Sequence, residues 1–220
     1  MKILEIKLRR KSVCGILFDE QVDPKEWEAD SDAAGWLSLD AELCEMKHLK
    51  AGMDLTPDEL AGLIEESHIK RAKSRALWYI SRGDCPKNAL TKKLCKSFPE
   101  YAAIAATERM VELGLVNDRA YAERRLQLII EGKKVSLKMA KQMLLLEGID
   151  REIVDEVAEC TECDNSDTIK CLIERKYKEK LNCQKDFERM MAALLRKGYS
   201  YGEIKDALRE LEIEINFSED

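Results

Sequence analysis

The first eighteen residues alternate apolar and polar side chains with the period of a β-strand. Leu4, Ile6 and Leu8 alternate with charged residues, and after a polar interruption an apolar run covers residues 13–18. Alternation with a period of two on both sides of a short polar turn is typical of a β-hairpin, which we predict here. Residues 19–32 are acidic and weakly patterned, and we predict a loop there.

The apolar period changes at residue 56. Thr56, Pro57 and Glu59 form the pattern of a capping box, in which the threonine and glutamate side chains each bind the other's backbone N–H and proline takes the first helical position. Helical patterns then follow almost without interruption to about residue 212, with no further convincing strand.

Three short segments of this helical region share one layout. Each has an aliphatic residue, two variable residues, a small residue, a large apolar residue and a helix-starting residue. They are residues 94–99, 145–150 and 195–200, and their small residues are Ser97, Gly148 and Gly198. Because glycine suits the left-handed position after a helix, and Asp150 or Ser200 can cap the next one, we predict three tight corners between helices.

Apolar residues at helical spacing surround each corner. In the first unit they are Leu77, Ile80, Leu90, Leu94, Phe98, Ile104, Val111 and Leu115. The predicted fold is mainly α: three tandem three-helix repeats in an elongated, curved solenoid, after a small extension that contains the β-hairpin. The predicted domains are the extension at 1–69 and repeats at 70–116, 117–163 and 164–220.

Composition and charge narrow the class of protein. With 45% hydrophobic and 36% charged residues, the chain is neither collagen-like nor wholly disordered. It has neither a signal-peptide pattern nor an apolar run of about 18 residues, so we expect a soluble, cytoplasmic protein. The net charge of −6 divides into −8 for residues 1–69, +8 for 70–150 and −6 for 151–220, which points to a basic middle.

Catalytic and metal-binding patterns are weak. Cys160 and Cys163 have the spacing of a metal or redox pair, but the gaps to Cys171 and Cys183 do not supply a second close pair, so we expect reduced thiols and no metal. No nucleophile elbow, zinc-protease or nucleotide-binding motif is present, and we expect neither an active site nor a cofactor.

A band of cations in the middle of the chain is the candidate binding surface. Its members are Lys92, Lys93, Lys96, Arg124, Arg125, Lys133, Lys134, Lys138 and Lys141. Clustered cations that face outward suit a phosphate backbone or an acidic protein groove. Ordinary solubilising side chains are the alternative interpretation.

The string Gly-Leu-Val-Asn-Asp-Arg-Ala-Tyr-Ala at residues 114–122 is the most specific in the chain. With residues 76–82 upstream, and with 145–149 and 194–200 downstream, it resembles the RecX family of RecA-regulating proteins. The resemblance covers about residues 70–212.

This resemblance implies a non-enzymatic, monomeric modulator with a role in DNA repair, recombination and the SOS response. It would bind the RecA–DNA filament, inhibit ATPase and strand exchange, and touch DNA weakly, mainly through the filament. The alternatives are a sequence-independent nucleic-acid-binding helical repeat protein and a general protein-interaction scaffold. The acidic flanks argue against strong binding to naked DNA.

Overall fold

A small antiparallel sheet precedes a series of helices. The structure, a computed structural model, describes residues 1–10, 12–20, 35–161, 163–181 and 184–213. The strands are β1 (Ile3–Arg10), β2 (Val13–Phe18) and β3 (Leu37–Asp40). The helices are α1 (Ala41–Met46), α2 (Pro57–Ile80), α3 (Lys87–Leu94), α4 (Glu100–Glu112), α5 (Asp118–Lys133), α6 (Leu137–Leu146), α7 (Arg151–Glu159), α8 (Asn165–Lys176), α9 (Gln184–Arg196) and α10 (Tyr201–Glu210), with a 3-10 turn at Lys178–Lys180.

The predicted hairpin is confirmed, but the sheet contains a third strand. Strands β1 and β2 pair antiparallel, and β3 pairs antiparallel with β2 at the far edge. No element was predicted for residues 33–55, so β3 is a strand that the sequence pattern did not indicate. Four residues are too few to show a period, and what holds β3 is the burial of Leu37 and Leu39 in the core of the sheet. Most of the predicted acidic loop lies outside the described residues.

Strand β1 is irregular at two places, and its apolar residues are not all buried. Ile3 is buried, whereas Leu4 and Leu8 are 51% and 69% exposed. The register with β2 shifts between Ile3 and Glu5 and again between Leu8 and Arg10. The first shift adds a residue to β1 at Leu4 and so turns the following side chains to the other face, whereas the second comes after Leu8 and does not account for its exposure.

Helix α2 begins at the predicted capping box. Thr56 Oγ1 accepts a hydrogen bond from the Glu59 N–H at 3.2 Å, and the Glu59 carboxylate accepts from the Thr56 N–H at 2.8 Å. The helix then continues without a break past the predicted boundary between residues 69 and 70. Its first half packs in the core of the sheet through Leu60 and Ile64, and its second half packs on α3 and α4 through Ala72 and Ala76.

Three groups of three helices follow one another: α2–α4, α5–α7 and α8–α10. Each group surrounds its own cluster of buried apolar side chains, which confirms the mainly α fold with an amino-terminal β element. The chain divides into two compact units, Met1–Asn117 and Asp118–Asp220. The four predicted domains and the elongated, curved shape stay predictions.

In the first repeat, several of the apolar residues at helical spacing lie outside the core. Leu77, Ile104, Val111 and Leu115 are 40–48% exposed. The residues that pack α4 instead include alanines, namely Ala102, Ala103 and Ala106, which are fully buried. Small side chains let helices approach closely, so the buried side of α4 carries less hydrophobic signal than its exposed side.

The corners before α7 and α10 close as predicted. Gly148 and Gly198 have φ of +91° and +88°, and Ile149 and Tyr199 fold back into the core, each buried. At these corners the N–H of the large apolar residue binds the carbonyl five residues earlier, which is the Schellman pattern.

The corner before α4 is different. There the Phe98 N–H binds the Leu94 carbonyl four residues earlier at 3.0 Å, and Ser97 does not have the positive φ expected of a glycine-like corner. The caps also differ: Ser200 forms a full capping box with Glu203, whereas the Asp150 side chain makes no capping hydrogen bond, contrary to the prediction.

Candidate functional site

Three of the predicted cations lie around the turn between α5 and α6. Lys133 is the last residue of α5, Lys134 occupies the left-handed region with φ +51°, and Lys138 lies in the first turn of α6. All three are exposed. The chain enters α6 through the Ser136 cap, whose Oγ accepts from the Met139 N–H at 3.2 Å. The turn therefore presents three positive charges within six residues of chain.

A fourth cation, which the sequence did not predict, joins this turn from the residue just after α9. The Lys197 ammonium donates to the backbone carbonyls of Lys133 and, at 3.0 Å, of Lys134, and the Lys197 carbonyl accepts from the Ser136 N–H at 3.0 Å. Burial lowers the pKa of Lys197, and the nearby charge of Lys176 lowers it further. The contact ties the second repeat to the third. It joins residues more than sixty positions apart, a separation at which sequence patterns carry no signal.

Two other predicted cations serve as internal cross-links. Arg125 makes a bidentate pair with Glu147, with N–O distances of 2.7 to 3.1 Å, and Tyr121 Oη donates to the same carboxylate at 3.0 Å. Partial burial acts to raise the pKa of Glu147, but the hydrogen bonds from Arg125 and Tyr121 outweigh it and lower that pKa. Lys141 pairs with Asp155 at 2.5 Å. These two charges are neutralised within the second repeat.

The remaining predicted cations divide between the two compact units. Arg124 is exposed on α5, in the second unit. Lys92, Lys93 and Lys96 are exposed on α3 and just after it, in the first unit. Lys93 Nζ lies 5.6 Å from the centroid of the Tyr79 ring. The role of all these cations in binding stays a prediction.

A second basic surface, which charge counting along the chain did not indicate, lies on the second half of α2 and the turn that follows it. Its members are Arg71, Arg75, Trp78 and Arg82, which we call the arginine–tryptophan face. Arg75 and Arg82 lie with their guanidinium carbons 5.1 and 4.1 Å from the Trp78 ring, and Arg71 lies 5.9 Å from the ring of Phe98. Spacings of four, three and four residues place these side chains on one side of a helix, a signal that was present in the sequence.

The arginine–tryptophan face borders a groove of about 320 Å³. Its lining residues are Ser12, Val13, Asp40, Arg71, Ser74, Arg75, Trp78 and Phe98. Asp40 is the one carboxylate among them; it lies 3.5 Å from Lys70 Nζ and caps α1 through the Leu43 N–H. The groove is therefore bounded mainly by cationic, aromatic and small polar groups.

The cysteines and the helices give two further findings. Burial raises the pKa of Cys163, and the charges of Asp164 and Glu203 raise it further. The Cys163 thiol is therefore less readily deprotonated to the reactive thiolate. Among the described residues, no group of three or more His, Cys, Asp and Glu side chains could hold a metal ion; Cys183 lies outside them.

In the described part of the chain, no helix is long and apolar enough to cross a membrane.

Comparison with known proteins identifies the family. The regulatory protein RecX of Clostridium acetobutylicum is 30% identical over 188 residues, which span 81% of this chain and 86% of that protein. The chain belongs to the RecX family. The regulatory protein RecX of Clostridioides difficile is 26% identical over 187 residues, 84% of this chain and 87% of that protein. No family model matches the chain.

Solved structures agree on the fold. A crystal structure of a regulatory protein RecX has a TM-score of 0.62 at 21% identity and covers 93% of this chain and 98% of its own. A crystal structure of RecX from Lactobacillus salivarius has a TM-score of 0.58 at 23% identity and covers 67% of this chain and 98% of its own. The resemblance drawn from residues 76–200 is thus confirmed, and the relatives of this RecX protein are named as regulatory proteins rather than enzymes.

Proposed function

We propose that this RecX protein binds the filament that RecA forms on DNA and inhibits its ATPase and strand-exchange activities, as a regulator of DNA repair and recombination. Membership in the RecX family carries this proposal. We also propose that the protein acts as a cytoplasmic monomer, since RecA works on cytoplasmic DNA and each helical repeat encloses its own apolar core.

The exposed lysines of the α5–α6 turn support a contact with an acidic partner or with phosphate. Lys133, Lys134 and Lys138 are exposed, whereas Arg125 and Lys141 are occupied by carboxylates. Cations that already have partners gain less from a new anion, because the existing pair must first be broken. We therefore expect the turn, and not the whole predicted band, to contact the filament.

The direct test is the ATPase of RecA on single-stranded DNA. Adding this protein at one molecule per RecA protomer should lower the rate of ATP hydrolysis and block strand exchange. The heat-unfolded protein serves as the control for non-specific effects. Unchanged hydrolysis and strand exchange at stoichiometric protein would refute the proposal.

A sequence-independent nucleic-acid-binding protein is the second candidate, favoured by the arginine–tryptophan face. Such a protein would bind naked DNA tightly at physiological salt with no RecA present, and its affinity would fall steeply as salt rises. A salt titration on naked DNA distinguishes the two candidates, because the filament regulator needs RecA for its effect and should keep only weak affinity for naked DNA at physiological salt.

A further inference from the structure

The second half of α2 and the turn that follows it hold three guanidinium groups against aromatic rings. Arg75 and Arg82 both lie over Trp78, at 5.1 and 4.1 Å, and Arg71 lies over Phe98 at 5.9 Å. A guanidinium that stacks on a ring keeps its N–H donors at the edge of its plane, where they can still bind phosphate. The rings therefore orient the arginines without using their hydrogen-bond donors.

Two of the three guanidinium groups are accessible. Arg75 and Arg82 are exposed, and the Trp78 side chain is 41% exposed, which is high for so large an apolar residue. Within the described part of the chain, neither Arg75 nor Arg82 makes an ion pair, in contrast to Arg125 of α5. Their charge is thus available to a ligand.

The charge changes sign along α2 and the two residues after it. Residues 57–68 contain four carboxylates and no lysine or arginine, whereas residues 70–82 contain five cations and no carboxylate. From Arg71 to the end of the helix at Ile80 the axis rises about 14 Å, at about 1.5 Å per residue, and Arg82 follows two residues later. A row of charges over that length suits a chain of phosphates better than a single anion.

The groove beside this row favours a single strand. It is bounded by Ser12 and Val13 at the start of β2, by Asp40 at the end of β3, and by Phe98. A duplex is stiff over about 150 base pairs and can lay only one row of phosphates along such a helix, whereas a single strand can bend into the groove.

We propose that the arginine–tryptophan face binds the sugar–phosphate backbone of single-stranded DNA without regard to base sequence. Arg75 and Arg82 donate to phosphate oxygens, and Trp78 is a positioning residue that holds both guanidinium planes. The Arg82 guanidinium already covers the indole, so base stacking on Trp78 is not the source of affinity. The biological use of this site rests on the proposed function, but its test requires no RecA.

The first test compares two double variants of the full chain. Binding to a fluorescein-labelled oligo-dT is followed by anisotropy over a range of salt concentrations. R75Q/R82Q should bind at least tenfold more weakly at 50 mM salt, and its salt slope should fall by about 1.4, because each phosphate contact on a single strand contributes about 0.7. The matched control, R189Q/R209Q, removes the same charge from α9 and α10 and should leave both values unchanged.

The second test examines the positioning role of Trp78. W78L should lower the affinity severalfold at every salt concentration while leaving the salt slope intact, because both arginines remain but are no longer held. W78F keeps a ring and should restore most of the affinity. A fall in slope for W78L equal to that of R75Q/R82Q, or full affinity in W78L, would overturn this role.

Other outcomes overturn the site itself. The first is equal DNA binding by R75Q/R82Q and R189Q/R209Q, and the second is tighter binding of duplex than of single-stranded DNA. The third is displacement of oligo-dT by poly-L-glutamate at equal charge, which would indicate an acidic protein partner. RecA ATPase is measured on the same proteins. If the wild type binds oligo-dT through the arginine–tryptophan face but leaves the ATPase unchanged, the proposed function fails and this site stands. If the wild type inhibits the ATPase but does not bind oligo-dT, this site fails and the proposed function stands.

Discussion

Gly198 fixes the contact between the second and third repeats. A Cβ at this position would overlap Ser136 Oγ and lie 2.8 Å from Met139 Cβ, and the residue has φ of +88°. We expect G198A to lose about 2 to 4 kcal/mol of unfolding free energy, from the left-handed backbone and the overlap together. Urea unfolding of the full chain measures this change.

Gly202 offers the matched control for Gly198. It lies in α10, four residues away, and a Cβ there would meet nothing within 4 Å. G202A should therefore leave the stability unchanged or raise it by up to about 1 kcal/mol, because alanine favours the helix. Similar losses in G198A and G202A would show that the corner is not tightly packed.

The Arg125–Glu147 pair makes stability depend on pH. The pKa of Glu147 in the folded protein lies below its ordinary value of 4.5, because the hydrogen bonds from Arg125 and Tyr121 outweigh partial burial. The stability it contributes is therefore fully present above pH 4.5 and is lost as the pH falls through the folded pKa. E147Q should cost about 1 kcal/mol at pH 7, a modest value because the pair is partly exposed.

The pH dependence supplies a separate check on this pair. The difference in unfolding free energy between wild type and E147Q should narrow as urea titrations move from pH 7 to below pH 4.5. Glu152 is exposed on α7, and E152Q serves as the control with the same loss of charge. A wild-type advantage that stays constant down to pH 3.5 would mean that Glu147 titrates as it does in the unfolded chain.

Helix caps can be ranked by their hydrogen bonds. Thr56 caps α2, the helix that packs in both the core of the sheet and the core of the first repeat, through a complete capping box. We expect T56A to cost about 1 kcal/mol of unfolding free energy. Asp150 makes no capping hydrogen bond to α7, so D150A should change the stability by less than about 0.5 kcal/mol. Equal losses in thermal or urea unfolding would contradict this ranking.

Helix ends were predicted correctly where the signal is local, and elements were missed where it depends on distant residues. Local signals, such as the box at Thr56 and the glycines at 148 and 198, depend on a few neighbouring residues and predicted their helix ends correctly. Strand β3 and the alanine-lined side of α4 depend on what packs against them, so periodicity missed both.

The same division explains the outcome at the candidate site. That Lys133, Lys134 and Lys138 cluster at one turn follows from sequence spacing. Arg125, by contrast, is paired with Glu147 through a contact between α5 and the end of α6. Counting charges along the sequence does not reveal such a contact. The residues of the arginine–tryptophan face have helical spacing in the sequence. The face was missed because a single net charge was counted for residues 70–150, which also contain the lysines further along the chain.

For the molecule as a whole, the α5–α6 turn should govern inhibition of RecA. K133Q/K134Q/K138Q removes three exposed charges from this turn. We expect the concentration that half-inhibits the RecA ATPase to rise at least tenfold at 50 mM salt, and its dependence on salt to become flatter, because fewer ions are released on binding.

The control for the turn removes equal charge elsewhere in the same compact unit. Lys178, Lys185 and Lys205 are also exposed, and K178Q/K185Q/K205Q should inhibit RecA as the wild type does. Circular dichroism melts establish that both triple variants are folded. If both variants lose inhibition equally, net charge and not the turn controls binding; if neither does, the contact with the filament lies on another surface, and the arginines of α2 become the first residues to test.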